Sequence, residues 1–183
     1  IRDRSVSRGL GDVYKRQYGK CGAMISAVDL LKGIAVGTGM KVIEVDGADG
    51  TLETNYEGKA CAAVTALTED GYDFVYVHLE APDEMGHQGS LERKIKAIEY
   101  LDDRIISPIF ERLSEADEDF KMLILPDHPT PIRVRTHTGN PVPYMIYDST
   151  DLKEGVLTYS EKNAKETGKF FEEGYKLMDY FLS

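Results

Sequence analysis

The sequence predicts an α/β protein of three layers, with a mainly parallel central sheet held between helices. Short apolar runs of strand length alternate with segments of helical periodicity along most of the chain. Several of the runs are apolar at successive positions, as strands buried on both faces are. The connections between runs are also long enough for helical crossovers.

Taken in order, Cys21–Ala27 reads as the first strand, and a helix begins within Val28–Lys32 and ends near Gly37 and Gly39. Met40–Val45 is a β-branched strand followed by a turn carrying Asp46, Gly47, Asp49 and Gly50. Gly58–Glu69 is Ala-rich and helical, closed by Gly71, and Asp73–Leu79 reads as a buried central strand. Leu91, Ile95, Ile98, Leu101, Ile105, Ile109 and Leu113 keep helical spacing, with Pro108 marking a kink or break. Phe120–Leu125 and Val142–Tyr147 are further strands, and Thr158 with Glu161 makes a capping-box pattern for a last helix reaching Leu182. Tyr175 and Tyr180 are expected on its core-facing stripe.

Residues 1–17 differ in kind. They carry a net charge of +3 and show no periodicity, whereas residues 18–183 carry −13. The segment resembles translated adaptor sequence, is expected to be non-native and disordered, and is set apart from the fold, which is assigned to 18–183.

A formal charge of −10 argues against a nucleic-acid partner, whose protein surface would be basic. No apolar run approaches the roughly 20 residues a membrane helix needs, so no membrane partner is expected. Cys21 and Cys61 form no CxxC pair and read as reduced, packed thiols of a cytoplasmic protein. An acidic protein that handles an anion must concentrate positive charge locally, and metal ions would do that.

The chemistry gathers where strands end, which is where open α/β sheets bind ligands. In VYVHLEAPDEMGHQG, Asp83 and His87 follow a strand in a loop; in MLILPDHPTP, Asp127 and His128 follow another; in RTHTGNPVPYMIY, His137 precedes a third. Each alone also fits a polar loop, a helix cap or a surface turn. Together they use three of the four histidines, beside aspartates and stiffening prolines. Oxygen and imidazole donors without thiolate suit Mn²⁺, Mg²⁺, Zn²⁺ or Co²⁺. Arg133 and Arg135 flank the third motif and read equally as anion ligands or as surface charge. His78 reads as a satisfied core histidine.

These motifs, in this order, resemble the metal-binding core of the alkaline phosphatase superfamily. With SAVDLLKGIA (26–35) and ADGTLETNYEGKA (48–60), they make residues 18–183 similar to the carboxyl-terminal part of an archaeal-type cofactor-independent phosphoglycerate mutase. That resemblance implies an alkaline-phosphatase-like fold, incomplete here, and two divalent ions, with Mn²⁺ or Mg²⁺ favoured. One ion would be held by Asp83, His87 and His137. The other would be held by Asp127 and His128, with an Asp and a nucleophilic Ser from an amino-terminal part. It further implies a small phosphorylated substrate, and exchange of phosphate between 3-phosphoglycerate and 2-phosphoglycerate through a phosphoserine. Lys32 matches a family lysine near the substrate phosphate, and a solvated surface lysine is the equal alternative. Ser26 and Ser149 match no nucleophile motif and read as turn and capping residues. The isolated chain is therefore expected to lack mutase activity. Kept open beside this are a homoserine kinase-like, phosphopentomutase-like or phosphatase activity, and a non-catalytic metal-binding module.

Overall fold

The computed structural model describes residues 17–183, so the expected adaptor-like segment lies, but for Gln17, outside the described residues. The elements are β1 (Gly22–Ile25), α1 (Asp29–Thr38), β2 (Lys41–Val42), α2 (Tyr56–Thr68), β3 (Phe74–Val77), α3 (Ala81–Gln88), α4 (Leu91–Leu101), α5 (Ser107–Glu115), β4 (Lys121–Ile124), β5 (Met145–Asp148), α6 (Glu161–Glu166) and α7 (Lys176–Leu182). Strands β2, β1 and β3 form a parallel sheet in that order, so β1 is the central strand and β3 an edge among the described residues. Strand β5 runs antiparallel to β4 in a second, two-stranded sheet.

The three layers follow from strand alternation, because successive side chains point to opposite faces. Ile25 of β1 joins a cluster with Tyr56, Ala60, Ala63 and Val64 of α2 and Ile109 and Leu113 of α5. Its neighbour Met24 joins the opposite cluster, with Ala35 of α1 and Phe181 of α7. Strand β4 divides in the same way, Met122 packing on the first cluster and Leu123 on the second. The last segment is shorter in helix than expected. Ser160, rather than Thr158, caps α6 by accepting from the Asn163 N–H, and Gly168 follows with φ +68°. In α7 the buried positions are Leu177 and Phe181, whereas Tyr175 and Tyr180 are exposed.

The long periodic helix is interrupted by a π turn, Asp102–Ile106, between α4 and α5. Pro108 has no N–H to donate to the preceding turn, and a π bulge absorbs that missing bond without ending the helix. Arg104 of this turn makes a fork of bonds to Glu57 at 2.6 and 2.8 Å. Its guanidinium lies against the rings of both Tyr56 and Tyr100, at 4.6 and 4.8 Å. That contact ties the interruption to the start of α2. Cys21 and Cys61 are free thiols as expected, but both are exposed rather than packed.

Candidate metal centre

Asp83 and His87 sit on α3, not in a loop, with Pro82 in its first turn. Four residues apart on a helix, their side chains share one face. The helix ends at Gly89, whose φ of +70° favours glycine, and a Cβ there would meet the Arg135 guanidinium. His137 arrives from the segment ahead of β5. Because β5 is antiparallel, its first residue Met145 lies beside Ile124 at the end of β4, and the His137 segment reaches the edge where β3 and β4 run out.

The donor atoms converge. His87 Nε2 lies 3.2 Å from Asp83 Oδ2 and 3.1 Å from His137 Nε2, and His137 Nε2 lies 3.4 Å from Asp83 Oδ1. An octahedral ion bound at about 2.1 Å keeps neighbouring ligand atoms about 3.0 Å apart, and a tetrahedral one about 3.4 Å. The triad therefore has the spacing of ligands around a single divalent ion, with further positions open. The His87 Nδ1 donates to the Arg135 carbonyl at 3.0 Å, which leaves the Nε2 lone pair facing the common point. Two ring nitrogens this close to each other and to a carboxylate fit a shared cation. Among the described residues, Asp83, His87 and His137 are the cluster able to hold a metal in this way.

Asp127 and His128 follow β4. His128 Nε2 lies 3.4 Å from Asp127 Oδ2, and its ring stacks on His137 with centroids 3.6 Å apart and planes 28° off parallel. The pair thus adjoins the triad and offers two donors to a second position. All five metal-ligand candidates are brought together.

The three candidate anion ligands are not brought into that cluster. Lys32 is ion-paired with Glu44 at 2.7 Å. Arg133 is exposed. Arg135, in the left-handed region at φ +57°, contributes its carbonyl to His87 while its guanidinium lies over Gly89.

Several residues escaped the motif reading. Thr130 bonds Asp83 through its hydroxyl and accepts from Lys94 Nζ at 2.7 Å through its carbonyl. Gly86 permits this approach, since a Cβ there would lie 2.5 Å from that carbonyl oxygen. Lys59 is 0% exposed, with one hydrogen bond, to the Asp49 carbonyl at 3.3 Å. Burial pushes its ammonium down from the ordinary lysine range, against the pull of Glu80 and Asp49. No periodicity marks a buried lysine on an Ala-rich helix; only packing does. His78 is half-buried, its Nδ1 lying 3.3 Å from Ser26 Oγ and 3.5 Å from Glu80 Oε1. Ser26 also accepts from the Val28 N–H, and Ser149 from the Phe120 N–H, both in local structural roles.

The Asp83, His87 and His137 cluster lies beyond the ends of the parallel strands, and the chain belongs to the metalloenzyme superfamily, which it matches over residues 5–182. Within it, the chain is 56% identical over 154 residues to the 2,3-bisphosphoglycerate-independent phosphoglycerate mutase of Methanosarcina acetivorans, covering 83% of this chain and 38% of that protein. It is 46% identical over 170 residues to a probable enzyme of the same name from Geobacter sulfurreducens, covering 92% of this chain and 42% of that one. The solved structure of the PH0037 protein from Pyrococcus horikoshii superposes with a TM-score of 0.72 at 32% identity, covering 84% of this chain and 39% of that one. The cofactor-independent phosphoglycerate mutase of Thermoplasma acidophilum shares the fold, with a TM-score of 0.63 at 22% identity over 92% of this chain and 38% of that one. The chain spans about two-fifths of the length of these relatives. No described helix is long and apolar enough to cross a membrane.

Proposed function

We propose that this chain supplies the metal-holding portion of a phosphoglycerate mutase that interconverts 3-phosphoglycerate and 2-phosphoglycerate in glycolysis and gluconeogenesis. The observation that carries the reading is the convergence of Asp83, His87 and His137, with Asp127 and His128 stacked beside them, in a chain so similar to proteins of that name. Divalent ions held there, Mn²⁺ or Mg²⁺ foremost and Zn²⁺ or Co²⁺ as alternatives, supply Lewis acidity toward phosphoryl and hydroxyl oxygens.

The chain's own residues hold the donors fixed. The Arg135 carbonyl sets the ring of His87, Thr130 sets the carboxylate of Asp83, and the prolines at 126, 129 and 131 stiffen the Asp127–His128 segment. Arg133 and Arg135, exposed on the segment that leads to His137, are candidate partners for phosphate or carboxylate. Lys32 joins them only by leaving Glu44.

In the proposed reaction a serine hydroxyl, assigned to the part of the full-length protein that this chain does not span, attacks phosphorus. Its Oγ–P bond forms as the bond from phosphorus to the glycerate 3-oxygen breaks. The 2-hydroxyl of the turned glycerate then takes the phosphoryl group and frees the serine. No water is consumed, so the site must exclude it.

The test is an assay of the full-length protein with 3-phosphoglycerate, with homoserine plus ATP, and with a generic phosphomonoester. Metal-dependent formation of 2-phosphoglycerate is expected. Transfer from ATP to homoserine, or phosphate release without isomerisation, would replace the mutase by another phosphotransferase or a phosphatase on the same metal centre.

A further inference from the structure

Thr130 is 3% exposed and stands between ligands of the two metal positions. Its hydroxyl donates to Asp83 Oδ1 and lies 3.3 Å from His128 Nδ1. A threonine hydroxyl has one proton, and an ionised carboxylate can only accept, so that proton is committed to Asp83. The hydroxyl oxygen can then only accept from His128, which makes Nδ1 the protonated nitrogen of that ring. The other ring nitrogen of His128, Nε2, is the atom beside Asp127.

The backbone of Thr130 is held independently of these bonds. Its carbonyl accepts from Lys94 and nests against Gly86 of α3, while the Thr138 N–H donates to the Pro129 carbonyl at 3.0 Å. The hydroxyl is thus presented by a fixed strap rather than by a mobile loop.

We propose that Thr130 is a positioning residue that ties the two metal positions together: one hydroxyl orients the Asp83 carboxylate of the first and fixes the ring tautomer of His128 in the second. This rests on the metal-binding reading above. Thr130 gives no atom to either ion, yet its hydroxyl serves a ligand of each, so its removal weakens both. Outer partners of metal ligands commonly alter affinity about 10- to 100-fold when removed.

The test is Mn²⁺ titration of the 183-residue chain, followed by the electron spin resonance of free Mn²⁺, for wild type, Thr130→Val and Thr130→Ser. Valine keeps the branched shape without the hydroxyl and is expected to weaken binding about 10- to 100-fold. Serine restores the hydroxyl and is expected to return affinity to within about threefold of wild type. Nitrogen–proton correlation spectra of the histidine rings in the metal-free wild type should find a proton on His128 Nδ1. This second measurement decides the matter even if the valine variant fails to fold.

Valine binding Mn²⁺ as wild type does, serine binding as weakly as valine, or a His128 without a proton on Nδ1 would each overturn the proposal. Wild type that binds no Mn²⁺ would overturn the metal reading itself, and this inference with it. That result is distinct from a wild type that binds and a valine variant that binds equally well.

Discussion

His87 aims its Nδ1 at the main-chain carbonyl of Arg135, 3.0 Å away and 48 residues along the chain. The left-handed backbone of Arg135 turns that carbonyl toward α3, and the bond decides which nitrogen of His87 is left to face His137 and Asp83. A main-chain acceptor thus orients a side-chain ligand.

From this relationship, His87→Ala and His137→Ala should each abolish tight binding of Mn²⁺ by the chain, read by isothermal titration calorimetry. Arg135→Gly suits the positive φ, keeps the carbonyl, and should hold metal affinity within about threefold of wild type. Saturating metal at about 100 times its Kd should stabilise the wild-type chain by about 2.7 kcal/mol, and the alanine variants not at all. Metal affinity lost in Arg135→Gly would mean that the guanidinium, not the carbonyl, matters to His87.

Gly86→Ala sets two effects against each other. Alanine in a helix gains about 1 kcal/mol over glycine. Its Cβ would lie 2.5 Å from the Thr130 carbonyl, which Lys94 and two flanking prolines hold in place, so the clash should win. A net destabilisation of about 1–3 kcal/mol is expected by urea denaturation, together with weaker metal binding. A more stable variant would show that the strap yields.

Lys59 gives the folded protein a pH dependence of definite sign. Its folded-state pKa is lowered from 10.5 by burial, so the unfolded chain binds more protons in the window between the two values. The cost of burying the ammonium is present below the folded value and is relieved as pH rises toward 10.5. Wild type should therefore gain stability relative to Lys59→Met across the alkaline part of that window, measured as the difference between their melting temperatures. A difference that does not vary with pH would show that Lys59 stays charged throughout.

Arg104→Ala should cost about 1–2 kcal/mol, because the bonds to partly exposed Glu57 are screened by solvent while the cation–π contacts with Tyr56 and Tyr100 are lost. Thermal denaturation reads this directly. Arg104→Lys should recover less than half, since an ammonium can neither fork nor stack as a guanidinium does. Full recovery with lysine would reduce the contact to charge alone.

Much of the fold was legible in the chain. The strands at 22–25, 74–77 and 121–124 and the Ala-rich helix lie where apolar runs and periodicity put them, because such patterns report local geometry. The break foreseen at Pro108 is present, softened into a π turn. Met40–Val45 shrinks to a strand of two residues, and Asp83 and His87 lie on a helix, since short polar stretches with proline and glycine fit either a turn or a brief helix.

The candidate metal ligands were legible in the sequence alone, because Asp and His recur beside strand ends in three motifs. The tertiary structure decided how they meet. His137 precedes its strand, whereas the other ligands follow theirs. In a wholly parallel sheet it would lie at the opposite edge. The antiparallel pairing of β5 with β4 reverses that, and strand direction is set by long-range hydrogen bonds that no local pattern encodes. The same holds for Thr130 and the Arg135 carbonyl. They join the candidate centre where the segment carrying them settles against Gly86 of α3 and Gly89 at its end.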